Sequence, residues 1–154
     1  MVYAIVGALL FFVDQGIKWF CVQNRPDHVL IPGLLQLVYT ENRGMSFSLF
    51  EGFRWVFVAI TAAALVFVVY ILKKGYVQAV SGRIALTLVL AGGVGNFVDR
   101  IFHGFVVDMF EFLFIRFAIF NFADVLITCG AVVLFYYLLF SEEGKAHVRD
   151  RSSS

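Results

Sequence analysis

Four long apolar stretches alternate with shorter polar segments along the chain. They cover about residues 2–22, 54–72, 83–101 and 117–140. Each reaches the roughly 20 residues with which an α-helix crosses about 30 Å of hydrocarbon. The first stretch also carries Asp14 and Lys18, whereas the core of a cleavable signal peptide is purely apolar. The pattern therefore predicts four membrane-spanning helices, the first of which is retained.

In the connection between the first two stretches, apolar and polar residues alternate with a period of two. Within it, LLQLVYT at 34–40 and MSFSLF at 45–50 flank the turn-forming run ENRG at 41–44. Alternating apolar and polar residues on the two sides of such a run predict strand, turn, strand. We therefore expect a small β-hairpin or sheet on one face of the membrane.

The predicted fold class is a membrane all-α protein, a four-transmembrane-helix bundle with a small extracytoplasmic β-hairpin or sheet between helices 1 and 2. We expect a single integral-membrane domain over residues 1–140 and a polar cytoplasmic tail over 141–154. The composition supports this, since 61% of residues are hydrophobic and 15% are charged, against about 25% charged in soluble domains. With a net charge of +1 and no basic run longer than Lys73-Lys74, no nucleic-acid partner is expected.

Lysines and arginines in the connections bear on orientation. The short 73–83 loop and the C-terminal tail contain Lys73, Lys74, Arg83, Lys145, Arg149 and Arg151. The 102–116 connection contains only Arg116, and the 23–54 connection, about three times as long as the 73–83 loop, contains Arg25, Arg43 and Arg54. Because cytoplasmic loops are enriched in these residues, this modest bias predicts both termini in the cytoplasm. The sheet and the 102–116 connection would then lie at the outer face.

Two aspartates stand in almost wholly apolar surroundings. Asp108 lies within FVVDMF, and Asp124 follows FNFA near the start of the fourth stretch. A charged side chain in the middle of a membrane helix costs roughly 2.5–3.5 kcal/mol on insertion scales, so a chain that keeps one usually has a chemical use for it. Two carboxyl groups that approach each other where both cannot ionise are typical of an aspartyl protease.

Further polar residues share helix faces with each other. Asn96 faces the same way as Asp99 and Arg100, because residues three or four apart are neighbours on a helix. Asn121 precedes Asp124 by the same interval of three. These groups suit either a structural salt bridge in a tightly packed helix pair or the walls of a polar site.

Other candidates have a structural interpretation at least as good. Asp14 and Lys18 are four apart with the acid first, the favourable order for an intrahelical pair. Asn42 and Gly44 suit a turn for backbone reasons alone, and contact with a substrate is equally open. The histidines and cysteines lie far apart without metal-ligand spacing, so no metal site or cofactor is expected; they are His28, His103, His147, Cys21 and Cys129.

Four motifs in this order resemble a known family. They are TENRGMSFS (40–48), AGGVGNFVDR (91–100), VVDMF (106–110) and FNFAD (120–124). Together they resemble bacterial lipoprotein signal peptidases, the type II signal peptidases, over about residues 10–140. Two departures are Met109, where an aromatic residue is commoner, and a short N-terminus with no basic lead.

The resemblance implies an aspartyl endopeptidase of the inner membrane that removes signal peptides from lipid-modified prolipoproteins, cutting before the diacylglyceryl-cysteine. By that comparison Asp108 and Asp124 are catalytic. The residues that would bind substrate or support the site are Asn42, Gly44, Asn96, Asp99, Arg100, Asn121, Asp14 and Lys18. The implied partners are a diacylglyceryl-modified prolipoprotein, membrane lipid and peptide-like inhibitors such as globomycin, with no metal.

Two other classes of function remain open from the residues alone. A small transporter or proton channel could use Asp14, Lys18, Asp99 and Asp124 as a relay. It would place the aspartates at separate depths and would need no sheet between the spans. An assembly subunit could use the same residues only to pair helices. A presenilin-like protease is disfavoured, because 93–96 reads Gly-Val-Gly-Asn rather than Gly-x-Gly-Asp.

Overall fold

Four apolar helices account for most of the chain in the computed structural model, which describes residues 1–44 and 54–141. They are α1 (Val2–Asn24), α2 (Arg54–Lys74), α3 (Val80–Phe102) and α4 (Phe122–Phe140). All four are long and apolar enough to cross a membrane, and α2 has the highest mean hydropathy, 2.6. The prediction of a four-helix membrane bundle is confirmed.

Helix α3 is the centre of the bundle and packs against α4, α1 and α2. Glycines on its buried face allow this close approach. A Cβ atom at Gly92 would meet the backbone carbonyl oxygen of Ala123 on α4, and one at Gly95 would meet the Asp14 carboxylate on α1. The glycines therefore bring the polar residues of three helices together.

A three-stranded antiparallel sheet covers one end of the bundle. Its strands are β1 (Asp27–Ile31), β2 (Leu35–Asn42) and β3 (Val106–Phe112), in the order β1-β2-β3. The third strand comes from the connection between α3 and α4. Buried Met109 and Val107 of β3 pack with Cys21 of α1, which anchors the sheet on the helices.

The predicted turn at 41–44 begins two residues too early, because Glu41 and Asn42 still belong to β2. Another turn joins β1 and β2, where the N–H of Leu34 donates to the carbonyl of Ile31 at 3.0 Å. Pro32 and Gly33 suit this turn, because proline fixes its own φ and Gly33 adopts a φ of 71°. Asn42 is the last residue of β2, and its Oδ1 accepts from the N–H of Gly44 at 3.1 Å, which is an Asx turn. The predicted strand at 45–50 lies outside the described residues.

The start of the fourth helix was also predicted too early. Helix α4 begins at Phe122, not at 117, because the preceding backbone is used by the sheet. Phe120 exchanges backbone hydrogen bonds with Phe110 of β3 at 2.8 and 3.0 Å. Asn121 then caps the helix, with its side chain accepting from the N–H of Asp124. The apolar character of 117–121 concealed this boundary.

Candidate active site

Asp108 is held on β3 by two side-chain amides. It pairs with Thr40 in the sheet while Asn42 pairs with Val106, so Asn42 and Asp108 are diagonal neighbours on one face. The Nδ2 of Asn42 donates to Asp108 Oδ2 at 2.8 Å, and the Nδ2 of Asn121 donates to Asp108 Oδ1 at 2.6 Å. The carboxyl group is 2% exposed, and each of its oxygens is bound.

Asp124 lies in the first turn of α4 and is half-buried. Its Oδ2 accepts from the backbone N–H of Asn121 at 3.1 Å, and its Oδ1 accepts from Nδ2 of Asn96 at 2.8 Å. The N-terminal end of a helix favours a negative charge, because unpaired N–H groups and the helix dipole point towards it. The carboxylate is therefore fixed both by its own helix and by α3.

Asn121 connects the two carboxyl groups. Its side-chain amide binds Asp108, and its backbone N–H binds Asp124. The same two aspartates line one cavity of about 540 Å³ together with Asn42 and Arg100. Much of the remaining lining is apolar: Phe112, Phe117, Ala118, Ile119, Val125 and Ile127. The site thus combines two carboxyl groups and a cation with a broad apolar wall.

Lys18 organises a buried polar network behind this cavity. Its Nζ lies 2.9 Å from Asp14 Oδ2 and 2.8 Å from Asp99 Oδ2. The ammonium also donates to Asn96 Oδ1 at 2.9 Å, so two carboxylates and one amide oxygen surround it. Since Asn96 in turn donates to Asp124, the network connects Lys18 of α1 to the site carboxylate.

Gln15 also belongs to this network and escaped the sequence analysis. Its Nε2 donates to Asp14 Oδ2 at 3.1 Å and to Asp99 Oδ1 at 3.2 Å. The sequence does carry a signal for it, because Gln15 is a third polar residue, next to Asp14, within an apolar span. Gln15 binds both carboxylates that flank Lys18, which offsets part of the cost of their burial.

Arg100 lies at the edge of the cavity. Its Nη1 donates to the carbonyl of Asn96 at 3.2 Å, and its Nη2 lies 3.5 Å from the carbonyl of Gly44. Gly44 thus contributes its backbone carbonyl here, and its N–H takes part in the turn with Asn42. Within the described residues Asp99 forms its short ion pair with Lys18 and none with Arg100. The guanidinium lines the cavity together with Asn42 and the two aspartates.

Arg54, the first residue of α2, was not among the predicted site residues. It connects α2 to the C-terminal end of α3 beside the cavity. Its Nε donates to the carbonyl of Arg100 at 2.6 Å, and its Nη2 donates to that of Ile101 at 2.7 Å. Carbonyls in the last turn of a helix have no partner within the helix. Arg54 therefore satisfies the end of α3 and positions the backbone of Arg100.

Burial dominates the electrostatics of Asp108. It raises the pKa of this carboxyl to about 6, against hydrogen bonds from Asn42 and Asn121 that lower it. The nearby charge of Asp124 also raises the Asp108 pKa. No cluster of histidine, cysteine and acidic residues suited to a metal occurs in residues 1–44 and 54–141. The site can hold and transfer a proton with its own carboxyl groups.

These features define a class, a multi-pass membrane protein with paired carboxyl groups of the aspartic-peptidase kind at one end of its bundle. The chain belongs to the signal peptidase II family: the Peptidase_A8 model, described as Signal peptidase (SPase) II, matches residues 6–140. The resemblance found in the sequence is thereby confirmed. The protein is an aspartic-type membrane peptidase that removes signal peptides from prolipoproteins.

Individual relatives support this assignment. The chain is 39% identical to the lipoprotein signal peptidase of Enterococcus faecalis, over 93% of this chain and 91% of the relative. It is 46% identical to that of Lactococcus lactis subsp. lactis, over 94% and 96%. A bacterial membrane enzyme solved by the in meso method at 2.3 Å is 27% identical, with a TM-score of 0.84 over 90% of this chain and 87% of that one.

The alternative classes do not fit this arrangement. The transporter hypothesis required aspartates at separate depths and no sheet between the spans. Here a three-stranded sheet is present, and Asp108 and Asp124 line the same cavity. A role confined to helix pairing leaves the two carboxyl groups at the cavity wall without a use.

Proposed function

We propose that Asp108 and Asp124 are the catalytic pair, and that the enzyme cuts just before a diacylglyceryl-modified cysteine. The observation that carries this proposal is the position of Asn121, which binds both carboxyl groups and directs them into one cavity. Because one residue, Asn121, binds both carboxyl groups, we infer that a single water can lie between them.

A single proton shared by the pair is the working state. Two carboxylates about 4 Å apart repel by about 4 kcal/mol at an effective dielectric of 20, which raises the pKa at which the second of them ionises. Asp108 is the buried member whose pKa is raised to about 6. We assign it the proton, and we assign the base to Asp124, which the helix N-terminus supports as an anion.

The reaction then needs no metal and no covalent intermediate. Asp124 takes a proton from the water as the water oxygen bonds to the scissile carbonyl carbon, while Asp108 donates a hydrogen bond to the developing oxyanion. The C–N bond breaks as a proton passes to the departing nitrogen, which is that of the lipid-modified cysteine. Asn42, Asn96 and Asn121 keep the carboxyl groups in this arrangement through the hydrogen bonds described above.

The cavity suits a substrate that is half peptide and half lipid. Its polar edge carries Asn42 and Arg100, which can bind backbone carbonyls or a glyceryl ester. Its apolar wall, with Phe117 and Ile127 among others, can accept acyl chains. Peptide-like inhibitors such as globomycin would compete for the same space. We propose that this end of the bundle faces the outer side of the cytoplasmic membrane, with both termini in the cytoplasm.

The direct test compares two substrates that differ only in the lipid. Purified enzyme is incubated with a prolipoprotein bearing a diacylglyceryl-cysteine and with the same chain unmodified, and product masses are recorded. The proposal expects cleavage of the modified chain alone, immediately before the modified cysteine. Equal cleavage of both chains, or a cut elsewhere, would overturn the assignment of the lipid to the cavity.

A further inference from the structure

A second cavity opens towards the other end of the bundle, away from Asp108 and Asp124. Helices α1 and α2 each pack against α3 but scarcely touch each other, which leaves a groove with α3 as its floor. The groove encloses about 650 Å³. Its apolar lining includes Ala4, Ala8, Phe11, Leu72, Leu90 and Val94. In a membrane such a space is filled, because open apolar volume loses dispersion contacts.

The groove has the length of one lipid chain. It runs along α3 from Arg83 to Val94, 11 residues or roughly 16 Å at 1.5 Å per residue. The hydrocarbon of one leaflet is about half of the 30 Å bilayer core. Arg83 lies 13 residues before Asn96, so the mouth of the groove is roughly 20 Å from the catalytic network. The groove therefore occupies the opposite leaflet.

The mouth of the groove is basic. Arg83 lies against the Tyr3 ring at 5.9 Å and remains partly exposed, and Met1 lines the same mouth. Lys73 and Lys74 end α2 and are exposed at this level. No aspartate or glutamate occurs in 1–13 or 54–95. An occupant with an apolar body and an anionic end complements this surface.

The positive charge at the mouth of the groove argues against a signal peptide as the occupant of the groove. A signal peptide begins with a positively charged segment, which Arg83 and the two lysines would repel. A zwitterionic lipid offers a phosphate but carries its own cation beside it. An anionic phospholipid satisfies both the apolar groove and the basic mouth.

We propose that the groove between α1 and α2 binds one acyl chain of an anionic phospholipid, with the lipid phosphate on Arg83. The lipid takes the place of a direct α1–α2 contact and fixes the two outer helices against α3. Guanidinium and phosphate form short, charge-assisted hydrogen bonds, which gives the headgroup preference.

Native mass spectrometry tests this on the full chain. The purified enzyme is delipidated, exchanged into phosphatidylglycerol or phosphatidylcholine of equal chain length, and examined for retained lipid. We expect one tightly retained phosphatidylglycerol and roughly tenfold weaker retention of phosphatidylcholine. Arg83→Gln should reduce phosphatidylglycerol retention about tenfold, whereas Arg116→Gln, at an exposed arginine away from the groove, should not.

A second variant addresses the acyl chain. Ala8→Phe fills the groove and should reduce retention of both lipids, while Val13→Phe, on the same helix but outside the groove, should leave retention unchanged. Equal retention of the two lipids by the wild-type enzyme would overturn the proposal. So would unchanged retention in folded Arg83→Gln and Ala8→Phe, or cross-linking of the groove to a second copy or to the signal peptide in place of lipid.

Discussion

The Asp14 carboxylate of α1 accepts a hydrogen bond from the backbone N–H of Ala123, in the first turn of α4, at 2.9 Å. The other oxygen of Asp14 binds Lys18 at 2.9 Å. A buried carboxylate on one helix thus satisfies the N-terminus of another, one residue before Asp124. This contact orders the turn that carries the proposed base, and it depends on the absence of a side chain at Gly95.

Gly95→Ala tests that dependence. A Cβ at this position would overlap the Asp14 carboxylate, which cannot move aside without leaving Lys18 and Ala123. We expect lower thermal stability in detergent and lower activity in the folded fraction. Gly16→Ala is the matched control, because a Cβ there meets nothing within 4 Å and alanine favours a helix by about 1 kcal/mol. Equal behaviour of the two variants would mean that Asp14 is not held in place.

Arg100→Lys separates charge from geometry. The Arg100 guanidinium has a fixed fork of donors that lysine lacks, and it lines the cavity beside Asp108 and Asp124. We expect most of the activity to be lost while the unfolding temperature stays near that of the wild type. Activity close to wild type in this variant would identify Arg100 as an interfacial anchor only.

The acidity of Asp108 predicts a pH profile. A carboxyl group whose pKa is raised to about 6 is mostly protonated below pH 6 and ionises above it. Because the mechanism assigns the proton to Asp108, kcat/KM should begin to fall as the pH rises through 6. Above that pH it should fall by up to about tenfold for each further pH unit. Initial rates between pH 5 and 8.5, with folding checked at each pH, measure this. A tenfold rise in kcat/KM between pH 6 and 8 would contradict the assignment of the proton to Asp108 and of the base to Asp124.

Orientation can be tested by cysteine labelling. In a variant without Cys21 and Cys129, single cysteines are placed at Val29 in β1 and at Gln78 between α2 and α3, both exposed. A membrane-impermeant maleimide added to intact spheroplasts should modify position 29 and not position 78. The reverse pattern would place the catalytic end in the cytoplasm.

The helices were predictable because spanning a bilayer demands length and apolarity, which 54–72 shows without interruption. The start of α4 was not, since Phe117 and Phe120 are as apolar as membrane residues although Phe120 pairs with β3. The third strand escaped for the same reason: 106–112 is apolar on both faces apart from Asp108 and Glu111. A period-two pattern cannot mark a strand that is buried on both sides.

The sequence predicted some contacts within the site but not others. Spacing of three or four along a helix indicated the Asp14–Lys18 pair, because both residues lie on one helix. It could not show that Lys18 also binds Asp99, 81 residues away, since that contact depends on how α1 packs on α3. Nor could it show that Asn121 is a helix cap, which is what brings it to both aspartates. Roles within the site remain predictions that the variants test.

The catalytic pair itself is tested most directly by Asp108→Asn and Asp124→Asn, assayed by product mass with a diacylglyceryl-modified prolipoprotein. Asparagine keeps the shape of the side chain but removes the exchangeable carboxyl proton. Both variants should fold, with lower unfolding temperatures because the asparagine NH2 faces a donor that the carboxylate accepted from, and turnover of the folded fraction should fall at least about a hundredfold in each. Substantial turnover by folded Asp124→Asn, or wild-type activity that disappears with a chelator and returns with zinc, would contradict the account.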